Sequence, residues 1–236
     1  MKSPAAPSEP AAASYPTTLR SVDLRGPAGR LEALLNEGAP ESRYAALVCH
    51  PHPLGGGTLH NKVIYHAMKV LNAPDFGFRL PVLRFNFRGT GLSEGHHDGF
   101  AESEDVSAAL DWLHEQFGLP TIVVGFSFGA AMSLAACCGT GNHVQALAAL
   151  GLPVQGFGRP YQYSSLEGCK IFKLFLSGDR DQFAPKAELE RIVSTAAEPR
   201  RLVFISGADH FFTGHLASMQ KSLAAWLAAA LKEQVQ

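Results

Sequence analysis

The chain has 236 residues, of which 46% are hydrophobic and 17% are charged, and this length suits one large domain with a substantial core. A formal net charge of −1 argues against a nucleic-acid-binding surface, which needs a clustered basic excess. No apolar run reaches the length of a membrane span, so we expect partners other than nucleic acid or membrane.

The N-terminal stretch and the cysteines indicate domain limits and compartment. Residues 1–16, MKSPAAPSEPAAASYP, lack a continuous hydrophobic stretch and are typical of a disordered tail rather than a secretion signal, which leaves a single domain over 17–236. The four cysteines, at 49, 137, 138 and 169, lie in apolar stretches without CxxC spacing. We expect reduced, buried thiols rather than disulfides or metal ligands, and this favours a cytoplasmic location.

Strand and helix patterns alternate along the rest of the chain. Residues 17–26 and 30–38 are predicted to form an antiparallel pair around Gly26-Pro27. Further strands are predicted at 44–49, 81–87, 121–125, 144–151, 171–178 and 201–206, and helices at 60–72, 102–117, 127–138, 186–197 and 215–232. This alternation predicts an α/β fold with a single, mostly parallel, eight-stranded sheet covered by helices on both faces. Ligands bind such sheets beyond the carboxyl ends of the strands.

A serine lies at the junction between one predicted strand and the helix after it. Gly125-Phe126-Ser127-Phe128-Gly129 matches the pattern G-x-S-x-G. A serine on so tight a turn takes an unfavourable backbone conformation with its oxygen above the sheet, and the flanking residues must be small. Ser127 is therefore the predicted nucleophile.

A serine nucleophile needs a base, and a carboxylate that orients the base. His210 follows the last predicted strand and is our candidate base, against the alternative of a surface histidine in a loop; His215 is its only near competitor. Asp179 and Asp181 both follow the preceding strand. We favour Asp181 as the orienting carboxylate and expect Asp179 to brace the turn.

Stabilising an oxyanion requires backbone N–H donors. Phe128, at a helix start where N–H groups are unpaired, is the first candidate. The second is expected in the loop CHPHPLGGG at 49–57, where the prolines have no N–H, so that His50, His52, Leu54 and the glycines remain. His50 and His52 also form an H-x-H pair, but no other residue has a convincing ligand spacing, so we expect no metal and no cofactor.

Three stretches carry a family resemblance: HPHPLGG at 50–56, RFNFRGTGLSEG at 84–95, and GFSFG at 125–129. In them the chain resembles the α/β-hydrolase superfamily, and within it the small, lidless bacterial serine hydrolases. The resemblance implies an α/β-hydrolase fold with Ser127 as nucleophile, Asp181 as orienting carboxylate and His210 as base.

The resemblance also bears on the loop at 49–57, which we call the oxyanion loop. By analogy with the superfamily's His-Gly-x turn, His52 supplies the second oxyanion N–H, with Leu54 as the alternative; Pro51 stands where glycine is commoner. The RFNFRG stretch is expected to brace the site, with Arg88 in a structural ion pair.

The substrate region is expected to be open. Residues 153–169, PVQGFGRPYQYSSLEGC, are too few for a sizeable helical cap, and their Phe157, Tyr161 and Tyr163 either line a pocket or only pack the loop down. We take Leu54, Phe157 and Tyr161 as substrate-binding candidates.

The favoured function is hydrolysis of small to medium carboxylic esters, with a small-molecule ester as the partner. A thioesterase or peptidase with the same triad is the first alternative. A non-catalytic binding protein on the same fold is the second. A homodimer is compatible with the sequence, which identifies no interface.

Overall fold

The structure, a computed structural model, describes residues 18–139, 143–156 and 158–232, and for Arg159 the backbone alone. The predicted tail at 1–16 and the pocket candidate Phe157 lie outside the described residues.

The central described strands, such as Ala45–Cys49 and Thr121–Phe126, are short and buried along their whole length, as the alternating pattern predicts. The described strands are β1 (Leu19–Gly26), β2 (Gly29–Asn36), β3 (Ala45–Cys49), β4 (Val82–Phe85), β5 (Thr121–Phe126), β6 (Val144–Leu150), β7 (Gln155–Gly156), β8 (Arg159–Pro160), β9 (Phe172–Gly178) and β10 (Arg200–Ile205). Eight of them form one sheet in the order β1-β2-β4-β3-β5-β6-β9-β10. β2 pairs antiparallel with β1 and β4, and the other neighbours are parallel. The predicted single, mostly parallel, eight-stranded sheet is confirmed.

In the described ranges, five α-helices cover both faces of this sheet: α1 (Lys62–Asn72), α2 (Glu102–Phe117), α3 (Phe128–Cys137), α4 (Lys186–Thr195) and α5 (Leu216–Lys232). α1 and α5 share one apolar core with the sheet, and α2, α3 and α4 share the other. β5 contributes to both cores. Val123 packs in the core that contains α2, α3 and α4, and Val124 packs in the core that contains α1 and α5. Such a central strand is buried on both faces and reads as a continuous apolar run.

The segment between β6 and β9 contains no helical cap among its described residues. β7 and β8 form a minimal antiparallel pair, and a short 3-10 turn follows at Ser164–Glu167. The Tyr163 hydroxyl donates to the Pro153 carbonyl at 2.6 Å, so this side chain ties the middle of the segment to its start. The site above the sheet is therefore left open, as expected.

The cysteine prediction is wrong for one pair. Cys138 and Cys169, 31 residues apart, form a disulfide, while Cys49 and Cys137 are buried free thiols. The sequence did not reveal the pair because it forms only once the end of α3 packs against the segment before β9. Disulfides persist mainly in oxidising compartments, so the cysteines no longer support a cytoplasmic location. Within the described ranges, no helix is long and apolar enough to cross a membrane.

Candidate active site

Ser127 lies on a strained turn between β5 and α3, with φ 54° and ψ −119°. A positive φ is unfavourable for a residue with a side chain and is retained where the surroundings enforce it. The two flanking glycines allow the close approach. A Cβ at Gly125 would lie 2.5 Å from Ala130 Cα, and one at Gly129 would lie 2.3 Å from the Cys49 carbonyl oxygen. The G-x-S-x-G spacing is thus a packing requirement of this turn.

Three candidate residues from three different loops meet above the carboxyl edge of the sheet. Ser127 Oγ lies 2.9 Å from His210 Nε2, and His210 Nδ1 lies 2.8 Å from Asp181 Oδ2. Because a carboxylate only accepts, Nδ1 carries the ring proton and Nε2 is the acceptor for the serine hydroxyl. The arrangement lets the imidazole take the proton of Ser127.

The Asp181 carboxylate is held by several donors besides the imidazole. Its Oδ1 accepts from the N–H groups of Phe183 at 2.8 Å and Ala184 at 3.1 Å, and its Oδ2 accepts from Ser177 Oγ at 3.0 Å. The side chain is fully buried. These contacts fix the direction in which the carboxylate faces His210.

Neither competitor from the sequence takes a place in this chain of hydrogen bonds. Asp179 Oδ1 accepts from the Gly207 N–H at 2.7 Å, so it braces the loop after β9 against the loop after β10. His215 Nδ1 bonds to the Thr213 carbonyl at 2.9 Å, just before α5.

Aromatic rings surround the imidazole of His210. Its centroid lies 4.7 Å from that of Phe183 and 5.1 Å from those of Phe126 and Phe211. On another side, a Cβ at Gly151 would approach the ring to 3.2 Å. The ring is 3% exposed and has little room to rotate away from Ser127.

Two candidate oxyanion donors lie beside the serine. Phe128 begins α3 directly after Ser127, where helix N–H groups lack intrahelical acceptors. His52 is buried, lines the same cleft as Ser127, and packs its ring 4.8 Å from that of Phe128.

Leu54 does not fit either role that the sequence suggested. Its N–H donates to His52 Nδ1 at 3.2 Å, so this N–H is already used within the loop. Its side chain is 72% exposed and is not among the residues that line the cleft. The expectation that Leu54 binds substrate, or replaces His52 as donor, is therefore corrected.

His50 is a structural residue. Its Nε2 accepts from the Phe87 N–H at 3.0 Å, which leaves the proton on Nδ1 to be donated to the Pro51 carbonyl at 2.6 Å. Burial lowers the pKa of His50 to about 4, so the ring is neutral at pH 7. Across the described residues, no group of three or more His, Cys, Asp or Glu side chains is placed to hold a metal ion.

The RFNFRG stretch reaches the site through contacts that the sequence did not specify. Asn86 Oδ1 accepts from the Leu59 N–H at 2.7 Å, and Arg84 Nη1 donates to the Leu59 carbonyl at 3.1 Å. Both backbone groups of Leu59 are thereby fixed at the end of the oxyanion loop. Arg88 binds both carboxylate oxygens of the fully buried Asp105, at 2.7–3.1 Å.

The cleft above Ser127 has an uncharged, largely aromatic lining. Besides Ser127, His210 and residues of the oxyanion loop, the lining includes the rings of Tyr161, Phe183 and Phe211 and the amides Asn61 and Gln155. No Asp, Glu, Lys or Arg is among the described lining residues. Sequence reasoning found Tyr161 but missed the others, although Phe183 and Phe211 stand beside Asp181 and His210 in the chain.

Comparison with known proteins agrees with this geometry. A family model described as an alpha/beta hydrolase domain matches residues 77–235. An uncharacterized protein of Rickettsia prowazekii is 36% identical over 212 residues, which is 86% of each chain.

The solved structures that are similar over nearly the whole chain include the following two. One is a lidless α/β serine hydrolase from Xanthomonas campestris, with 29% identity, a TM-score of 0.79, and coverage of 91% of this chain and 96% of that one. The other is an α/β serine hydrolase homologue from Coxiella burnetii, with 33% identity, a TM-score of 0.78, and coverage of 90% and 99%.

Proposed function

The chain belongs to the alpha/beta hydrolase family, and we propose that it is a serine hydrolase that cleaves small to medium carboxylic esters through an acyl-enzyme on Ser127. The observation that carries the proposal is the continuous line of hydrogen bonds from Ser127 Oγ through His210 to Asp181. A hydroxyl so placed has the base and the orienting carboxylate that nucleophilic catalysis requires.

In the first half of the reaction, His210 Nε2 takes the proton as Ser127 Oγ attacks the ester carbonyl carbon. The carbonyl oxygen becomes an oxyanion, which the N–H groups of Phe128 and His52 stabilise. When the tetrahedral intermediate collapses, the alcohol leaves with the proton from His210, and the acyl group stays on Ser127.

Water completes the cycle. His210 Nε2 takes a proton from the water as its oxygen attacks the acyl carbon, and the same proton returns to Ser127 Oγ as the acid is released. Asp181 stays ionised throughout and stabilises the imidazolium that forms twice per turnover.

The preference for modest, neutral esters follows from the cleft. The segment between β6 and β9 leaves it open, and its described lining offers rings and amides instead of charges. Such a lining favours uncharged acyl and alcohol groups, since a charge would lose its hydration without a partner.

The test is a panel of p-nitrophenyl acetate, butyrate, octanoate and palmitate, with butyryl thioester and butyryl anilide as parallel substrates. We expect the shorter esters to be cleaved best and Ser127→Ala to lower kcat by at least about 10⁴-fold. Full activity in Ser127→Ala would refute the mechanism. Cleavage of only the thioester or only the anilide would refute the ester assignment, and no cleavage by the wild type would favour a binding protein.

A further inference from the structure

The cleft contains one side-chain amide whose orientation the fold fixes but which the proposed mechanism does not use. Asn61 lines the cleft together with Ser127 and stands directly before α1. Its Oδ1 accepts from the N–H groups of Val63 at 2.9 Å and Ile64 at 3.4 Å, the free donors of the first helical turn. The amide cannot flip without losing this cap, so Nδ2 is directed away from the helix.

The other polar groups of Asn61 are also committed. Its N–H donates to the Thr58 carbonyl at 2.9 Å, and its carbonyl accepts from the Tyr65 N–H at 2.9 Å. Nδ2, which carries two donor hydrogens, bonds to no residue in the part of the chain that the structure describes. The NH2 group is thus the single polar group that Asn61 has left to offer to the cleft.

The backbone that precedes Asn61 is also held in place. Leu59, two residues earlier, has both of its backbone groups bound by side chains from β4 and the residue after it. A donor held by a helix cap and an anchored loop loses little conformational entropy when a ligand binds it.

The acceptor that fits this donor is an uncharged oxygen. The described lining of the cleft carries no Lys or Arg that would pair with an anion. The scissile carbonyl oxygen itself is assigned to the N–H groups of Phe128 and His52, so Nδ2 is available to a second oxygen of the substrate.

We propose that Asn61 is a specificity-determining residue whose Nδ2 donates a hydrogen bond to a neutral ether, hydroxyl or carbonyl oxygen beyond the scissile ester. The preferred substrates are then oxygen-bearing esters rather than purely alkyl ones. This inference rests on the proposed esterase function.

Two isosteric substrate pairs test it, one for each side of the ester. On the alcohol side, 2-methoxyethyl butyrate is compared with butyl butyrate. On the acyl side, butyl 3-methoxypropanoate is compared with butyl pentanoate. We expect the wild type to prefer the ether member of one pair, by about 2- to 12-fold in kcat/KM after correction for the base-catalysed rates of the two esters, the size of one neutral hydrogen bond. The responding pair identifies the side that Asn61 contacts.

The variants separate recognition from folding. Asn61→Ser and Asn61→Asp both keep a good helix-capping residue but remove the NH2 donor, so the ether preference should fall to about 1 while the melting temperature changes little. Asn61→Ala loses the cap too and should unfold at lower temperature. Gln220→Ala, which removes an amide bonded to the His66 carbonyl of α1, should keep the wild-type ratio.

Each outcome decides the inference. A wild-type ratio near 1 for both pairs, or a ratio unchanged in Asn61→Ser and Asn61→Asp, overturns it while leaving ester hydrolysis intact. Failure of the wild type to cleave either butyl ester that lacks an ether overturns the proposed function, and this inference with it.

Discussion

Asp181 and Asp179 lie two residues apart on one loop, yet only Asp181 reaches the imidazole of His210. The difference arises from the backbone of the loop. The N–H groups of Phe183 and Ala184 bind Asp181 from one side, while the Gly207 N–H draws Asp179 toward the loop after β10. At the residue scale, the neighbouring N–H donors therefore determine which of the two carboxylates contacts His210.

Replacing these two aspartates by asparagine should separate catalysis from bracing. Asp181→Asn leaves His210 in the wrong tautomer, so we expect kcat to fall by about 10⁴-fold. Asp179→Asn retains an oxygen that accepts from Gly207 and should change kcat only a few-fold. Steady-state kinetics on p-nitrophenyl butyrate measures both, and a larger loss in Asp179→Asn would reverse the assignment.

His50 should make stability depend on pH. Burial lowers the pKa of His50 in the folded protein to about 4, from an ordinary value of 6.5. Between these values the unfolded chain binds the proton and the folded chain does not. Stability therefore falls as pH drops through this window, by up to about 3 kcal/mol, and this loss levels off below about pH 4.

Urea unfolding across this pH range measures the effect. His50→Asn, in which an amide oxygen replaces the ring as acceptor, should be less stable at neutral pH but should lose less stability on acidification. Equal pH dependence in the two proteins would contradict the account.

At the scale of elements, the site depends on α3 starting very close to β3 and β5. Gly129 permits the contact with the Cys49 carbonyl, and Ser127 accepts the backbone strain that the turn imposes. β4 and the residue after it also contribute, because the side chains of Arg84 and Asn86 bind the backbone of Leu59 at the end of the oxyanion loop.

Gly129→Ala should push α3 away from the oxyanion loop. The added Cβ would lie 2.3 Å from the Cys49 carbonyl oxygen, so we expect both a lower melting temperature and a marked loss of kcat. Gly168→Ala is the matched control, since its φ is −99° and no atom lies within 4 Å of the added Cβ. Equal behaviour of the two variants would refute the packing argument.

The elements themselves follow well from the sequence, because local pattern determines them. The strand pattern of 121–125 and the helical periodicity of 102–117 depend on neighbouring residues, and both appear as β5 and α2. Ser127, Asp181 and His210 were identifiable because each follows a predicted strand, and parallel strands share their carboxyl edge.

Loop conformation could not be predicted in the same way. Leu54 was misjudged because the bond from its N–H to the His52 ring determines how the loop turns. Asn61 and Gln155 were missed because only the folded loops bring them to the cleft. These positions depend on contacts between distant segments, for which one sequence carries no local signal.

At the scale of the whole molecule, the disulfide joins two segments that carry the site. Cys138 follows α3, which begins next to Ser127, and Cys169 precedes β9, which leads to Asp181. The bridge lies at the end of these elements away from the reactive groups. By restricting the unfolded chain across 31 residues, it stabilises the fold by roughly 3–4 kcal/mol in the chain-entropy description.

Thiol titration tests this pairing. Cys49 and Cys137 are buried, and burial raises the pKa of Cys49 to about 12 and also raises the pKa of Cys137. We therefore expect almost no thiol of the native protein to react with a thiol reagent. Unfolded without reductant, the chain should expose two thiols, and the Cys138→Ser variant three. Four thiols in the unreduced wild type would show that the pair is not bonded.

Covalent labelling of Ser127 tests the central claim most directly. We predict that a fluorophosphonate probe adds once per chain, that peptide mass spectrometry places the adduct on Ser127, and that labelling is absent in Ser127→Ala and much slower in His210→Ala. A chain that gains no adduct, or that labels equally well in Ser127→Ala, would contradict the proposal that this hydroxyl is an activated nucleophile.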